Sequence, residues 1–236
     1  GAVTDSTANT GVGHNSGASI TTGDSNTFFG HQSGDATTTA SDNTGVGKDA
    51  LGANTTGASN VAVGKGALAA NTSGIESVAV GIDAGGANTT GRITAVGRHA
   101  VKSNTTATEN TGIGYRALRD TTTGANNTAV GGDALLSNTT GTENVAVGKG
   151  ALDAATTGDY NTGIGTGALS DHTTGSDNTA VGRNALGSNT TASNNTAVGK
   201  GALVLNTTGT GNTAVGRNAL DAVTTASNST AVGANA

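Results

Sequence analysis

The chain has 236 residues and a net charge of −5; 40 residues are glycine, 2% are aromatic, and Cys, Met, Trp and Pro are absent. That composition excludes an ordinary core of bulky side chains, a disulfide scaffold and a thiolate metal site, and its thin acidic charge gives no general attraction for nucleic acid. Neither a secretory leader pattern nor an apolar run of membrane-spanning length appears.

Fourteen times a β-branched or aromatic residue is followed by a spaced glycine, from Gly13, Gly30 and Gly47 to Gly216 and Gly233. Twelve of the thirteen gaps are 17 residues, and the one between Gly81 and Gly97 is 16. A fixed short period means stacked coils rather than a globular domain, and its positional grammar argues against disorder despite the Gly, Thr, Asn and Ser content. The reading is an all-β, parallel β-solenoid of about fourteen 17-residue coils over residues 1–236, a single repetitive segment of a longer fibrous protein. Coils about 4.8 Å apart would make a rod roughly 65 Å long.

Taken in chain order, each coil reads N-T-A-V-G-x-x-A-L-x-x-N-T-T-G-x-x, with the spaced glycine at position 5. Position 1 is Asn in eleven of fourteen coils, position 2 is Thr or Val, and position 4 is Val, Ile or Phe. Residues two apart on a strand share a face. Positions 2 and 4 are therefore expected to point inward, making Val63, Val80, Val130, Val147, Val181, Val198 and Val215 core. Position 3 between them is then outward, yet it is Ala nine times, Gly four times and Phe once. Small outward residues imply a surface lying close, so Ala62, Ala79, Ala95, Ala129, Ala146, Ala180, Ala197 and Ala214 are the expected oligomer interface. The glycines that follow, among them Gly64, Gly81, Gly131, Gly148 and Gly182, are expected to turn the chain at a backbone angle that Gly adopts at low cost.

The second segment, Ala-Leu at positions 8 and 9, supplies the larger aliphatics, and the third is N-T-T, followed by Gly or Ala at a corner. Each coil is expected to contain three short extended segments. Around Arg92-Ile93-Thr94 one residue is lost at the corner before the strand, with Thr94, Ala95 and Val96 keeping their places.

The segments Asn60-Val-Ala-Val-Gly64, Ser77-Val-Ala-Val-Gly81 and Asn144-Val-Ala-Val-Gly148 resemble the N-S-V-A-I-G strand in the heads of trimeric autotransporter adhesins (YadA-like). Similar N-T-A-V-G repeats occur in bacterial and phage tail-fibre-like proteins. The resemblance implies a left-handed parallel β-roll, three chains side by side, and a cell-surface or virion location, with no catalytic residues and no cofactor. The repeat departs from the adhesin heads in period, theirs being nearer 14 residues.

Charge sits at two corners. Position 6 is basic in seven coils (Lys48, Lys65, Arg98, Lys149, Arg183, Lys200, Arg217), and positions 16 and 17 carry Asp24, Asp42, Glu76, Glu109, Glu143, Asp159 and Asp177. The stripes solubilise the surface, or meet between chains and fix register, or, in the basic one, form a polyanion-binding ladder interrupted at Ile82, Tyr115, Gly132 and Thr166. If Thr at position 13 faces inward, positions 12 and 14 make outward ranks of Asn (Asn54, Asn71, Asn88, Asn104, Asn138, Asn189, Asn206) and Thr, which allow three readings. One is ice ordering, another is N-x-S/T glycan acceptors, and the plainest is hydrogen-bonded ladders at the corners. His14 and His31 share position 6 in adjacent coils, but two ligands make a weak metal site. No catalytic constellation or phosphate loop is present. The function expected is a non-catalytic shaft or head segment of an extracellular fibre, with its own copies and a host-surface or glycan receptor as partners. The rival readings are a monomeric solenoid polymerising end to end and an ice-binding solenoid.

Overall fold

The computed structural model describes residues 8–236. Contacts divide it into two compact units, one ending at Arg116 and one spanning Ala117–Ala236. The first unit holds β1 (Thr10–Val12), β2 (Thr27–Phe29), β3 (Thr44–Val46), β4 (Val61–Val63), β5 (Val78–Val80), β6 (Ile93–Val96) and β7 (Asn110–Ile113). The second holds β8 (Thr128–Val130), β9 (Val145–Val147), β10 (Thr162–Ile164), β11 (Thr179–Val181), β12 (Thr196–Val198), β13 (Thr213–Val215) and β14 (Thr230–Val232). Within each unit every strand runs parallel to the next in sequence, one strand per coil, and the described residues contain no helix. The fold is a parallel β-solenoid.

Because the period equals the coil length, like stacks on like: Val61, Ala62 and Val63 pair with Val78, Ala79 and Val80. The 16-residue coil keeps this register, Thr94, Ala95 and Val96 lying beside β5, while Ile93 takes the place of the position-1 Asn opposite Asn110. Deletion at a corner leaves the ladder intact.

The two faces of the strand are the reverse of the sequence expectation. Ala62, Ala79, Ala95, Ala129, Ala146, Ala180, Ala197 and Ala214 are each 0% exposed inside their own coil, so they are core and cannot be an interface. Val63, Val130, Val147 and Val181 are half-buried, and Val80, Val198 and Val215 are 37% exposed on the outside. The alternation correctly places positions 2 and 4 on one face, but it does not say which face is inside. The cross-section decides that. Ala at positions 3 and 8, Leu at position 9 and Asn at positions 1 and 12 already fill the coil, leaving no volume for a stack of valines.

The rest of each coil is turns rather than two further extended segments. Three positions besides Gly recur in the left-handed region. Position 17 (Asp42, φ 61°; Glu76, φ 54°) and position 7 (Asp49, φ 59°; Asn184, φ 54°) are polar, often the Asn or Asp that tolerates this geometry. Position 9 is Leu, with φ near 50° at Leu68, Leu135 and Leu186. That conformation costs a leucine on the order of 1 kcal/mol, offset by complete burial worth about 2 kcal/mol. At two position-9 glycines, Gly34 and Gly85, a larger neighbour occupies the space. A Cβ on Gly34 would lie 2.4 Å from the Phe28 ring, and one on Gly85 would lie 2.7 Å from Ile93 Cδ1. The position-5 glycines have φ near 130°, and a Cβ on Gly64 would sit 2.5 Å from the carbonyl oxygen of Gly81 one coil on. Only a residue without a side chain fits there.

Polar ladders complete the interior. At position 1, Asn60 Nδ2 donates to Asn43 Oδ1 (3.1 Å) and to the Gly74 carbonyl (2.8 Å), and the Asn60 N–H donates to the same Oδ1. At position 12, Asn54 Nδ2 donates to the Gly57 carbonyl and Asn54 Oδ1 accepts from the Gly57 N–H, while Asn71 Nδ2 donates to Asn54 Oδ1 (3.0 Å). Asn43 and Asn54 thus converge on one carbonyl, that of Gly57, locking the end of the coil to its beginning. Position 12 therefore faces inward, contrary to the outward rank expected of it. Its buried asparagines are closed to water and to glycan transfer in the folded chain.

Candidate interaction face

With alanine inside, the outer face of the strands carries two columns, Thr or Val at position 2 and Val, Ile or Phe at position 4. In the first unit Val12, Phe29, Val61, Val78, Val80 and Ile113 are exposed; in the second Ile164, Val198, Val215 and Val232 are. Strand geometry points both columns the same way, so each unit presents a ribbon of β-branched side chains to solvent. A column of Val, Ile and Phe, flanked by a column that is mostly Thr and rimmed by charge, is a candidate contact surface.

The rims are the two charged corners. All seven position-6 cations are exposed just past the strand, and the position-17 acids (Asp42, Glu76, Glu109, Glu143, Asp177) are exposed just before it. Part of the acidic stripe serves the fold. Asp159, at position 16, accepts from the Thr142 N–H (2.7 Å) and hydroxyl (2.8 Å) one coil back, a place that Ser41 and Ser176 fill elsewhere. Arg92, which stands at the corner of the short coil, bridges Glu109 and Glu76 in the flanking coils, and these two carboxylates raise its pKa.

The other residues singled out by sequence have plainer places. Position-13 threonines spend their hydroxyls on the next coil's backbone, as Thr38 does on the Thr55 carbonyl (3.1 Å) and Thr139 on that of Thr156 (3.0 Å). The Asn-Thr-Thr segments are thus hydrogen-bonded ladders. His14 and His31 stack with centroids 5.4 Å apart, and no group of three or more His, Cys, Asp or Glu among the described residues could hold a metal ion. His172 replaces Asn in the position-12 ladder. It is fully buried, Nε2 bonds the Gly175 carbonyl (2.7 Å), Nδ1 has no partner, and burial lowers its pKa. Asp153 moves the other way, its carboxyl raised first by burial and then by the nearby Asp171 and Asp133.

Sequence reasoning missed the inward asparagines of position 12 and the outward valines. One sequence signal pointed to the latter: a position that tolerates Val, Ile and Phe is not constrained by a coil's fixed volume, whereas one held to Ala or Gly is. Comparison of the chain with protein-family models, with curated proteins and with solved structures gives no match.

Proposed function

We propose that this chain is a non-catalytic structural segment of an extracellular fibre, on a cell surface or a virion, in which three copies lie side by side and serve attachment. The observation that supports it is the Val, Ile and Phe column on the outer strand face, apolar side chains that are half-buried or exposed. In a parallel three-fold assembly each copy sets this column against the next, removing it from water at about 25 cal/mol per Å². The basic corner of one copy then meets the acidic corner of its neighbour, giving the interface direction and register. The column of small residues on the inside serves a different end, bringing the backbones of each coil close enough to stack.

Light scattering coupled to size exclusion tests the reading. A mass near three times 22.3 kDa supports it. A well-folded monomer overturns it and would direct attention to ice growth and glycan binding by a single chain, and open-ended growth with concentration would favour end-to-end polymers.

A further inference from the structure

The outer face of the first unit is most apolar at β5. Position 2 is Val in only three coils, and two of these are neighbours: Val61 on β4 pairs with Val78 on β5, as Val63 does with Val80. The corners on either side of β5 change with it. Position 16 carries an aliphatic residue larger than Ala only at Ile75, and position 6 only at Ile82. The two flank the same strand and are 48% and 47% exposed. Single exposed aliphatics are ordinary on a surface, but Ile75, Val78, Val80 and Ile82 make one apolar line across a coil. Coil stacking does not require either isoleucine. Ile75 forgoes the hydrogen bond that Ser41 and Asp159 accept from the preceding coil at the same position, and position 6 is elsewhere most often Lys or Arg. Glu76, the acid at this corner, is engaged by the next coil, where Arg92 Nη1 donates to its Oε2 (2.7 Å).

In a cyclic assembly each copy sets one edge against the opposite edge of its neighbour, so the corner before a strand must suit the corner after it. Several coils meet that condition one by one. Asp42 stands across β3 from Lys48, Glu143 across β9 from Lys149, and Asp177 across β11 from Arg183, an acid answering a base each time. Across β8, Ala125 and Asn126 face Gly132, neutral on both sides. Where one corner is Ile, so is the other. Lys65, Lys200 and Arg217 stand across from neutral corners. Arg92 and Arg98 flank β6 as like charges, but Arg92 is already answered within its own copy by Glu76 and Glu109.

We infer that copies of the chain lock together at the β5 coil, Ile75 of one copy packing against Ile82 of the next, and that this contact sets their axial register. The occupant of the apolar line is a second copy because its two ends match each other, as the acid and base corners do, and because it continues the outer Val column across both rims. A slip of one coil would set Ile75 against Lys65 or Arg98, burying a cation against hydrocarbon at a cost that the in-register arrangement avoids. The inference rests on the side-by-side assembly proposed above. Solution mass tests that assembly and cross-linking tests the contact, so the contact can fail while the assembly stands.

The chain has no cysteine, so thiols placed at the two corners report the contact directly. Ile75→Cys/Ile82→Cys, treated with a short thiol–thiol cross-linker, should give covalent trimers on a denaturing gel, and either single variant should stay monomeric there. Ile75→Cys/Lys65→Cys, one coil out of register, should also stay monomeric. Ile82→Lys should raise the concentration at which the assembly half-dissociates about tenfold or more, while Thr166→Lys, at the same position in the second unit, should not. Adding Ile75→Glu to Ile82→Lys should recover most of the loss. A trimeric parent chain whose Ile75→Cys/Ile82→Cys variant yields only monomer bands overturns the lock and leaves the assembly standing. Efficient cross-linking of either single variant would mean that like edges meet, and cross-linking of the out-of-register pair would mean another register; each overturns the lock. A monomeric parent chain overturns lock and assembly together. Retention of the circular dichroism spectrum by the variants, whose changes lie at exposed corners, separates lost contact from lost folding.

Discussion

A single methyl-sized position governs this fold. Ala146 is fully buried beneath the stacked strands, while its neighbour Val147 points out. Ala146→Val should overpack the coil and cost about 1–3 kcal/mol, read as a lower denaturant midpoint. Val147→Lys should leave the midpoint of an isolated copy within about 0.5 kcal/mol but reduce the solution mass. The opposite pattern would restore the original assignment of inside and outside. His172 makes a second prediction at this scale. Its imidazole is neutral in the fold because burial lowers its pKa, while the unfolded chain titrates near 6.5. The unfolded state therefore binds the extra proton first. Stability is complete above pH ~6.5 and falls as pH drops below that value, until the folded pKa is also passed. The ring's neighbours by register, Ala155 and Asn189, and the Gly175 carbonyl are not titratable. His172→Asn should remove this segment of the pH profile in urea melts. Asp153, whose carboxyl is raised, contributes with opposite sign and only at the lower pH of carboxylate titration.

At the scale of the element, the strand and its register were legible in the sequence because period and pairing are the same fact. The turn that follows was not. A run such as Gly66-Ala67-Leu68 reads as a short extended or helical piece, and no propensity argument places a leucine at φ 49°. Such a leucine is stable only when neighbouring coils enclose it, and that enclosure is a tertiary effect. The asparagine ladder was legible as a ladder but not in its direction, since Asn is ordinarily a surface residue and its burial depends on finding partners above and below. The ladder leaves some buried amide oxygens unbonded, Asn71 Oδ1 among them although Asn88 follows it. Asn138 Oδ1 is buried and unbonded ahead of Ala155, as is Asn206 Oδ1 ahead of Val223. Ala155→Asn should let the new Nδ2 donate to Asn138 Oδ1 and raise stability by about 1 kcal/mol. A thermal shift of zero or below would mean that the coil there cannot admit the amide.

For the molecule as a whole, each coil touches chiefly the coils beside it, so stability is a sum of local terms and nearest-neighbour terms. Hydrogen exchange should therefore divide by position in the stack, with destabilisation by Ala146→Val concentrated in the coils around β9 rather than shared evenly. Uniform loss of protection across both units would show a single cooperative fold instead. The candidate surface was half legible: both charged corners and the existence of a special strand face came from the sequence, but the face was assigned to alanine.

The buried asparagine columns have a thermal consequence. Heat capacity of unfolding rises with apolar surface exposed and falls with polar surface exposed. Here much of the interior is amide and methyl rather than large hydrocarbon. Unfolding should therefore show a heat-capacity increment per residue below the usual value of about 12–15 cal/mol/K. A small increment flattens the dependence of stability on temperature, so the solenoid should lose little of its stability in the cold, where proteins that depend on hydrocarbon cores weaken.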